Sequence, residues 1–402
     1  MHTAAIEEAL WAMIRRLPEG TLDRMGPRIV SEMLYDMWMV MGGGASGAGA
    51  GPGVAEGADA AGAAADDADG AVWARIYERV RAVLRYRKQL ARLLKIPQVP
   101  QRSPAWYALR RERLTASSAA QAMERGKFGT RHELLCSKVG EILGQPVPFD
   151  GNAPPLRWGV MLEPMAARTY AQRKGGVRLH EFGMLPHPAL DCFGASPDNI
   201  SDLGIMVEYK CPYRRKMDGS IPEQYEIQMQ GQLAVCGLEE CDYVECDIEE
   251  LGGEEGYLWA VDAEATCDHG VILEWSDGGD TTYDYSPEDL TPGEAWAWGQ
   301  GRIAEKRAVG GQSLRLVRVH PWRLRKCWIQ RVRFQPDRWE REIVPHIRAF
   351  WDDVQRYVAA GGVPAPATPK VEFGARRKRT AGPASPPPEP VSFVYDSDDA
   401  PL

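Results

Sequence analysis

Residues 195–212 read Ala-Ser-Pro-Asp-Asn-Ile-Ser-Asp-Leu-Gly-Ile-Met-Val-Glu-Tyr-Lys-Cys-Pro, and the fold is decided in this stretch. Asp198 follows a proline and precedes Asn-Ile-Ser-Asp-Leu-Gly, a run rich in turn formers. Ile205, Met206 and Val207 then form a short apolar run, as in a buried strand. Glu208 and Lys210 continue that strand. Alternate residues of a strand share a face, about 6.6 Å apart at roughly 3.3 Å per residue. An acid and an amine therefore project together, and the hairpin can return Asp198 beside them. Two neighbouring carboxylates repel unless a cation lies between them. An oxygen donor set of that kind suits magnesium, which takes one or two carboxylates and keeps several waters. Glu-x-Lys pairs on strands are ordinarily surface ion pairs of little worth, so the reading depends on what accompanies them.

Composition sets the frame. The chain has 402 residues, of which 44% are hydrophobic, with eight Cys and a formal net charge of −8. This length suits two or three domains. No uninterrupted apolar run reaches the roughly 18 residues of a membrane-spanning helix, and no secretory signal is expected at the N-terminus. The Cys residues include no Cys-x-x-Cys pair, which suits reduced thiols inside a cell. Cys236, Cys241 and Cys246 read as small core residues. A net negative chain contacts polyanions only through local basic patches.

Outward from the central stretch, the chain divides into five parts. Residues 1–41 show helical periodicity, and 42–71 are mostly Gly, Ala and Asp, read as a disordered linker. Residues 72–96 form a basic helix, read first as a solvated face and second as a phosphate contact. Residues 97–360 hold the main domain, with an acidic insertion at about 249–320. Residues 361–402 are Pro-rich and expected to be disordered. Within the main domain, a short strand or extended piece is expected to end at Thr115, and Ser117 or Ser118 reads as a helix N-cap. Met161 to Lys174 reads as a helix with Glu163 in its first turn, where the helix dipole alone explains an acid. Val177 to Leu185 and Cys241 to Ile248 read as strands, and Glu223 to Cys236 as a helix. Asp337 to Ala359 is amphipathic and helical, with a kink expected at Pro345. In the tail, Arg376 to Arg379 form a basic run of the kind that serves nuclear import or phosphate binding.

Taken in order, the pieces resemble the YqaJ-type viral recombinases, which are similar to the phage lambda exonuclease within the PD-(D/E)XK nuclease class. The residues that carry the resemblance are Trp106, Arg110, Thr115-Ala116-Ser117, Trp158-Gly159 with Glu163, Ser196-Pro197-Asp198, Glu208-Tyr209-Lys210-Cys211-Pro212, and Tyr225 with Gln228 and Gln230. It spans about residues 100–248. The family has Gly after Ser-Pro-Asp, whereas this chain has Asn199, which also tolerates positive φ.

The resemblance implies an α/β fold with a restriction-endonuclease-like core, a central mixed β-sheet flanked by helices. It implies a magnesium-dependent deoxyribonuclease, with manganese as a possible substitute, acting as a 5′-to-3′ exonuclease on duplex DNA ends in viral recombination or repair. Asp198, Glu208, the Tyr209 carbonyl and Glu163 would hold the metal. Lys210 would orient the nucleophilic water, and Gln228 would hold its helix against the site. Arg110, Ser117 and Ser196 would bind the 5′ phosphate. A single-strand annealing protein as partner and a homotrimeric ring are implied in the same way, as is an intracellular location in host cytoplasm or nucleus. The same core also supports a structure-selective endonuclease on branched DNA, or a DNA-binding scaffold that has lost the reaction.

Overall fold

The computed structural model describes residues 2–40, 58–146, 153–262, 268–279, 281–309 and 314–365. Its strands are β1 (Leu114–Thr115), β2 (Leu179–His180), β3 (Leu185–His187), β4 (Leu190–Ala195), β5 (Asn199–Ser201), β6 (Met206–Lys210), β7 (Glu240–Glu250), β8 (His269–Ser276), β9 (Thr281–Tyr285) and β10 (Arg315–Arg333). Seven of them form a mixed sheet in the order β2-β5-β6-β7-β10-β8-β9, and β1-β4-β3 form a smaller one. In the large sheet β6 and β7 are parallel, and the flanking pairs are antiparallel. Helices cover both faces, giving the α/β core that the sequence implies.

The two faces of β6 explain how the sheet is packed. Met206 joins a core formed with helices Ala116–Ala122, Arg131–Ile142, Glu223–Cys236 and Val344–Ala360. Val207 and Tyr209 face the other way, against helix Pro154–Arg173 and the N-terminal helices Thr3–Arg16, Pro27–Val40 and Ala58–Leu93. Cys236, Cys241 and Cys246 are fully buried, as read from sequence.

Several local expectations are corrected. The hairpin before β6 turns at Ser201–Gly204, not across the whole run after Asp198. The Ser201 carbonyl accepts the Gly204 N–H at 2.7 Å. Gly204 has φ +72°, and a β-carbon there would meet the Tyr86 carbonyl, so this glycine is required on two counts. Asn199 lies in β5 and is not among the positive-φ residues, so it needs no left-handed tolerance. Its Oδ1 instead accepts the Tyr209 hydroxyl at 2.9 Å. Helix Pro154–Arg173 starts two turns earlier than expected, which places Glu163 in its middle and Pro164 inside it. The short strand expected to end at Thr115 is β1, and ahead of it lies helix Pro104–Arg111, capped by the Ser103 hydroxyl accepting Trp106 N–H at 3.2 Å. Thr115, rather than Ser117 or Ser118, is the N-cap of Ala116–Ala122. The single strand expected over 177–185 is split between β2 and β3 in different sheets. Gly183 lies between them, backed so closely by the Val99 carbonyl that no side chain fits.

The long helix begins at Ala58, inside the stretch read as linker; alanine-rich sequence favours helix. Residues 41–57, the Arg376–Arg379 run and most of the Pro-rich tail lie outside the described residues. The basic helix is solvated at Arg75, Arg81, Arg85, Lys88 and Arg92, as first read, but not at every basic position. Arg79 is buried and paired with Glu7 and Glu240, Arg85 pairs with Glu239, and Arg87 with Asp23. Residues of the expected insertion supply β8, β9 and helices Gly253–Asp262 and Pro292–Val309, and they extend the main sheet through β10. Near Pro345 the irregularity takes the form of a π-helical turn, Trp339–Ile343, directly before Val344–Ala360. Widening the ladder there accommodates a residue with no N–H to donate. No helix of the described residues is long and apolar enough to cross a membrane.

Candidate active site

The register of the hairpin assembles the acids. Asn199 lies opposite Val207 across β5 and β6, so Asp198 arrives beside Glu208. The Tyr209 N–H donates to Asp198 Oδ2 at 2.9 Å. Glu208 and Lys210 share a face, and Lys210 Nζ lies 3.1 Å from Glu208 Oε1. The Lys210 ammonium also sits 4.6 Å from the Tyr225 ring centroid, a stabilising cation–π distance.

Helix Glu223–Cys236 presents Gln228 and Gln232 on one face, one turn apart. Gln228 Nε2 donates to Glu208 Oε1 at 2.5 Å and Gln232 Nε2 to Glu208 Oε2 at 2.7 Å. Glu208 is only 1% exposed, and these donors let its carboxylate remain inside the protein. Gln230 points away, joining the Arg333 carbonyl and the Gln335 N–H. Gln232 is the member that the sequence reading leaves out of the site. Its signal is the i, i+4 spacing from Gln228.

Glu163 approaches from helix Pro154–Arg173, and its carboxyl pKa is raised. Burial contributes most; the Arg102 guanidinium opposes the rise, and Glu208 adds to it. Asp198 is held well above the usual carboxylate range, first by burial and then by Glu208 and Glu163. Lys210 works against that shift. A cleft of about 910 Å³ runs past Glu163, Asp198, Asn199, Arg102 and Phe182.

These residues fit a hard divalent cation of the kind the resemblance implies. The donors are all oxygen, and the carboxylates raise one another's proton affinity, a repulsion that a cation between them relieves. Among the described residues no three His, Cys, Asp or Glu side chains are gathered into a ready-made cage. Magnesium needs only one or two carboxylates and keeps its waters. Glu208 uses three of its roughly four lone-pair sites on Gln228, Gln232 and Lys210, so one is left for an ion.

A second cluster adjoins the acids. Arg110 is 7% exposed, its guanidinium 4.4 Å from the Trp106 ring centroid. Arg110 Nη2 donates to Thr115 Oγ1 at 3.4 Å, and that hydroxyl lies 3.1 Å from Ser117 Oγ. The Trp106 indole N–H donates to Ser196 Oγ at 3.0 Å. Arg110, Ser117 and Ser196 are thus brought together, two residues from Asp198. Lys138, unremarked in the sequence, is buried beside them and donates to the Arg110 carbonyl at 3.1 Å and to Glu141 Oε2 at 3.0 Å. Burial lowers the pKa of Arg110 to about 10 and lowers that of Lys138. No carboxylate of the described residues comes within ion-pair distance of Arg110. Glu141 pairs with Lys138 and reaches Arg110 only by longer-range attraction, so the pocket favours an anion.

The chain is similar to a family model, to a viral protein and to solved structures. Residues 105–239 match the family model of the YqaJ-like viral recombinase domain. "Uncharacterized protein R354" of Acanthamoeba polyphaga mimivirus is 26% identical over 313 residues, covering 68% of this chain. The match spans 56% of that protein's length. Among solved structures, an alkaline exonuclease from Laribacter hongkongensis is 20% identical, with 64% of this chain and 95% of that chain covered and a TM-score of 0.40. A phage related exonuclease from Haemophilus somnus 129PT is 11% identical, with 62% and 94% covered and a TM-score of 0.35. The stretch that supplies Arg110, Glu163, Asp198, Glu208, Lys210 and Gln228 thus lies within the part of the chain, residues 105–239, that is similar to the YqaJ-like viral recombinase domain.

Proposed function

We propose that the protein is a magnesium-dependent deoxyribonuclease, a 5′-to-3′ exonuclease that hydrolyses phosphodiester bonds at duplex DNA ends in recombination or repair. The observation that carries this reading is the junction of the two clusters. A carboxylate–lysine group adjoins a pocket with an uncompensated buried cation, and the Trp106–Ser196 hydrogen bond ties them together. The match of residues 105–239 to the recombinase domain supports it.

In this reading Asp198, Glu208, the Tyr209 carbonyl and Glu163 hold the ion, magnesium or in its place manganese. When bound, the ion supplies positive charge at the scissile phosphate and makes a coordinated water more acidic. Gln228 and Gln232 fix the Glu208 carboxylate, so its oxygens need not reorganise. Lys210, held by Glu208 and the Tyr225 ring, places a cation where a water nucleophile and the developing phosphorane charge require one. Arg110, Ser117 and Ser196 bind the terminal 5′ phosphate and so set the cut relative to the strand end. The single strand left behind would suit an annealing partner, and a ring of subunits would keep the enzyme on its substrate.

The test is digestion of end-labelled linear duplex, with and without a 5′ phosphate, in magnesium and in EDTA. We expect magnesium-dependent release that is faster on phosphorylated ends and is abolished in Asp198→Asn and Lys210→Ala. Full activity in either variant would remove the proposed site. Cutting of covalently closed circles would favour an endonuclease on branched DNA, and binding without turnover would favour a scaffold.

A further inference from the structure

Residues 98–103 lead into helix Pro104–Arg111 and border the cleft that holds Glu163 and Asp198. The Pro100 carbonyl accepts the Ser103 N–H at 3.2 Å, closing a four-residue turn. Arg102 occupies its third position with φ +62°, while Gln101 is not among the positive-φ residues. This is the pattern of a type II turn, whose third position is normally Gly or Asn. A larger side chain there strains the backbone, and such strain persists only where the surroundings hold it. They hold it here on both sides. The Gly183 N–H donates to Gln98 Oε1 at 2.9 Å, and Gln101 Nε2 donates to the Phe182 carbonyl at 2.9 Å.

At this strained position stands an exposed guanidinium beside the carboxylates. Arg102 is the foremost cation acting on Glu163, and its charge also reaches Tyr283 and Tyr285. Among the described residues no side chain or carbonyl lies within ion-pair or hydrogen-bonding distance of that guanidinium. An arginine with no structural partner, kept where glycine would relax the chain, points to a ligand.

We propose that Arg102 is a substrate-contacting residue whose guanidinium grips a backbone phosphate of the DNA strand lying over Glu163 and Asp198. The planar fork of arginine matches two phosphate oxygens. The turn stands four residues before Trp106 and leads into helix Pro104–Arg111, which carries Arg110 of the end-binding pocket. This inference rests on the nuclease reading and adds to it a binding residue for the strand near the cut.

The test compares wild type with Arg102→Gln, Arg102→Lys and Arg102→Gly. The measurements are steady-state digestion of 5′-phosphorylated duplex in magnesium, salt-dependent binding of that duplex in EDTA, and melting without DNA. The Gln and Gly variants should lose about ten- to a hundred-fold in kcat/KM, and the binding slope against log salt should fall by about one contact's worth. Arg102→Lys should recover part of the loss. Arg102→Gly should melt at or above the wild-type temperature, because glycine is at home in the turn. Lost activity in a protein at least as stable would exclude a folding effect. Unchanged kinetics and unchanged salt slope in Arg102→Gln would overturn the assignment, as would a Gly variant that loses activity only because it melts early. A wild type that digests nothing would instead defeat the nuclease reading, and the EDTA binding arm would still decide Arg102.

Discussion

Replacing Arg110 by Met should stabilise the DNA-free protein while removing its response to a 5′ phosphate. The magnitude follows from the pocket. Burial takes the guanidinium pKa from 12.5 to about 10. Each tenfold change in proton affinity is worth about 1.4 kcal/mol, so keeping Arg110 charged at neutral pH costs roughly 3 kcal/mol. The sign is that of a base whose pKa falls on folding. The cost is present at every pH below about 10 and is flat across pH 5–8. Against it stand the stack on Trp106, worth about 1–2 kcal/mol, and a long hydrogen bond to Thr115. Met fills similar volume, so the net gain should be about 1–2 kcal/mol. Urea unfolding at pH 7 in phosphate-free, low-salt buffer with EDTA measures it. Adding a 5′-phosphorylated dinucleotide at ten times its dissociation constant should stabilise wild type by about 1.4 kcal/mol and leave the variant unmoved. A variant that is less stable by more than about 1 kcal/mol, together with a wild type indifferent to the dinucleotide, would show that Arg110 serves the fold rather than an anion.

Two further outcomes are expected. Arg331 contacts Asp242 at 2.6 Å and Glu7 at 3.1 Å, and also pairs with Glu240, so Arg331→Met should cost about 3–5 kcal/mol in chemical denaturation at pH 7. Burial pushes Asp242 and Glu240 upward, but Arg331 with Lys174, and Arg79 with Arg331, hold them below the usual carboxylate range. That stabilisation is complete above the unfolded carboxylate pKa and is lost as pH falls through the folded one, so the gap between wild type and variant should narrow below about pH 4. A gap that is the same at pH 3.5 and pH 7 would contradict the assignment. Gln232→Leu removes a donor to Glu208 but also a buried carbonyl oxygen with no partner. Stability should therefore stay within about 1 kcal/mol of wild type, while kcat falls about tenfold at unchanged KM, as expected for an acid left less firmly placed. A rise in KM alone would argue that Gln232 acts on binding instead.

What the sequence made legible is local chemistry with a short period. Apolar Ile205 to Val207, followed by alternating Glu208 and Lys210, already specifies a buried strand with an acid and an amine on one face. The i, i+4 pattern of helix Glu223–Cys236 likewise brought Gln228 to the right side. Contacts with long sequence separation were not legible. Glu7 meets Arg331 across 324 positions, and nothing in either neighbourhood signals it. Lys138 sits on an ordinary amphipathic helix, and only tertiary packing shows that it meets the Arg110 carbonyl while pairing with Glu141. The β10 strand, 19 residues long, carries too many exposed arginines to read as the seam between β7 and β8. Arg102 was hidden for a different reason. A four-residue turn with Pro at its first position fits several turn types, and the one adopted here is the type that arginine disfavours.

The site's two halves are unbalanced in opposite senses, and this makes a single substrate class the economical partner for both. Asp198 and Glu163 are crowded carboxylates whose proton affinity is raised by burial and by neighbouring carboxylates, more than the nearby cations offset. Arg110 is a cation whose proton affinity is lowered by burial, with only Glu141 and Tyr107 acting against it. Arg102 stands exposed beside the acids with no partner of its own. Neither Arg110 nor Arg102 pairs with the acids, although the Trp106–Ser196 hydrogen bond joins the two halves of the site. Keeping them apart favours a ligand that is anionic toward the arginines and brings a cation to the acids. A phosphodiester strand accompanied by a divalent ion meets both demands at once, whereas a neutral small molecule meets neither. On this argument the metal and the DNA end should bind with positive coupling: a 5′-phosphorylated end should raise magnesium affinity in wild type, and Arg110→Met should abolish that gain without weakening magnesium binding to the DNA-free protein.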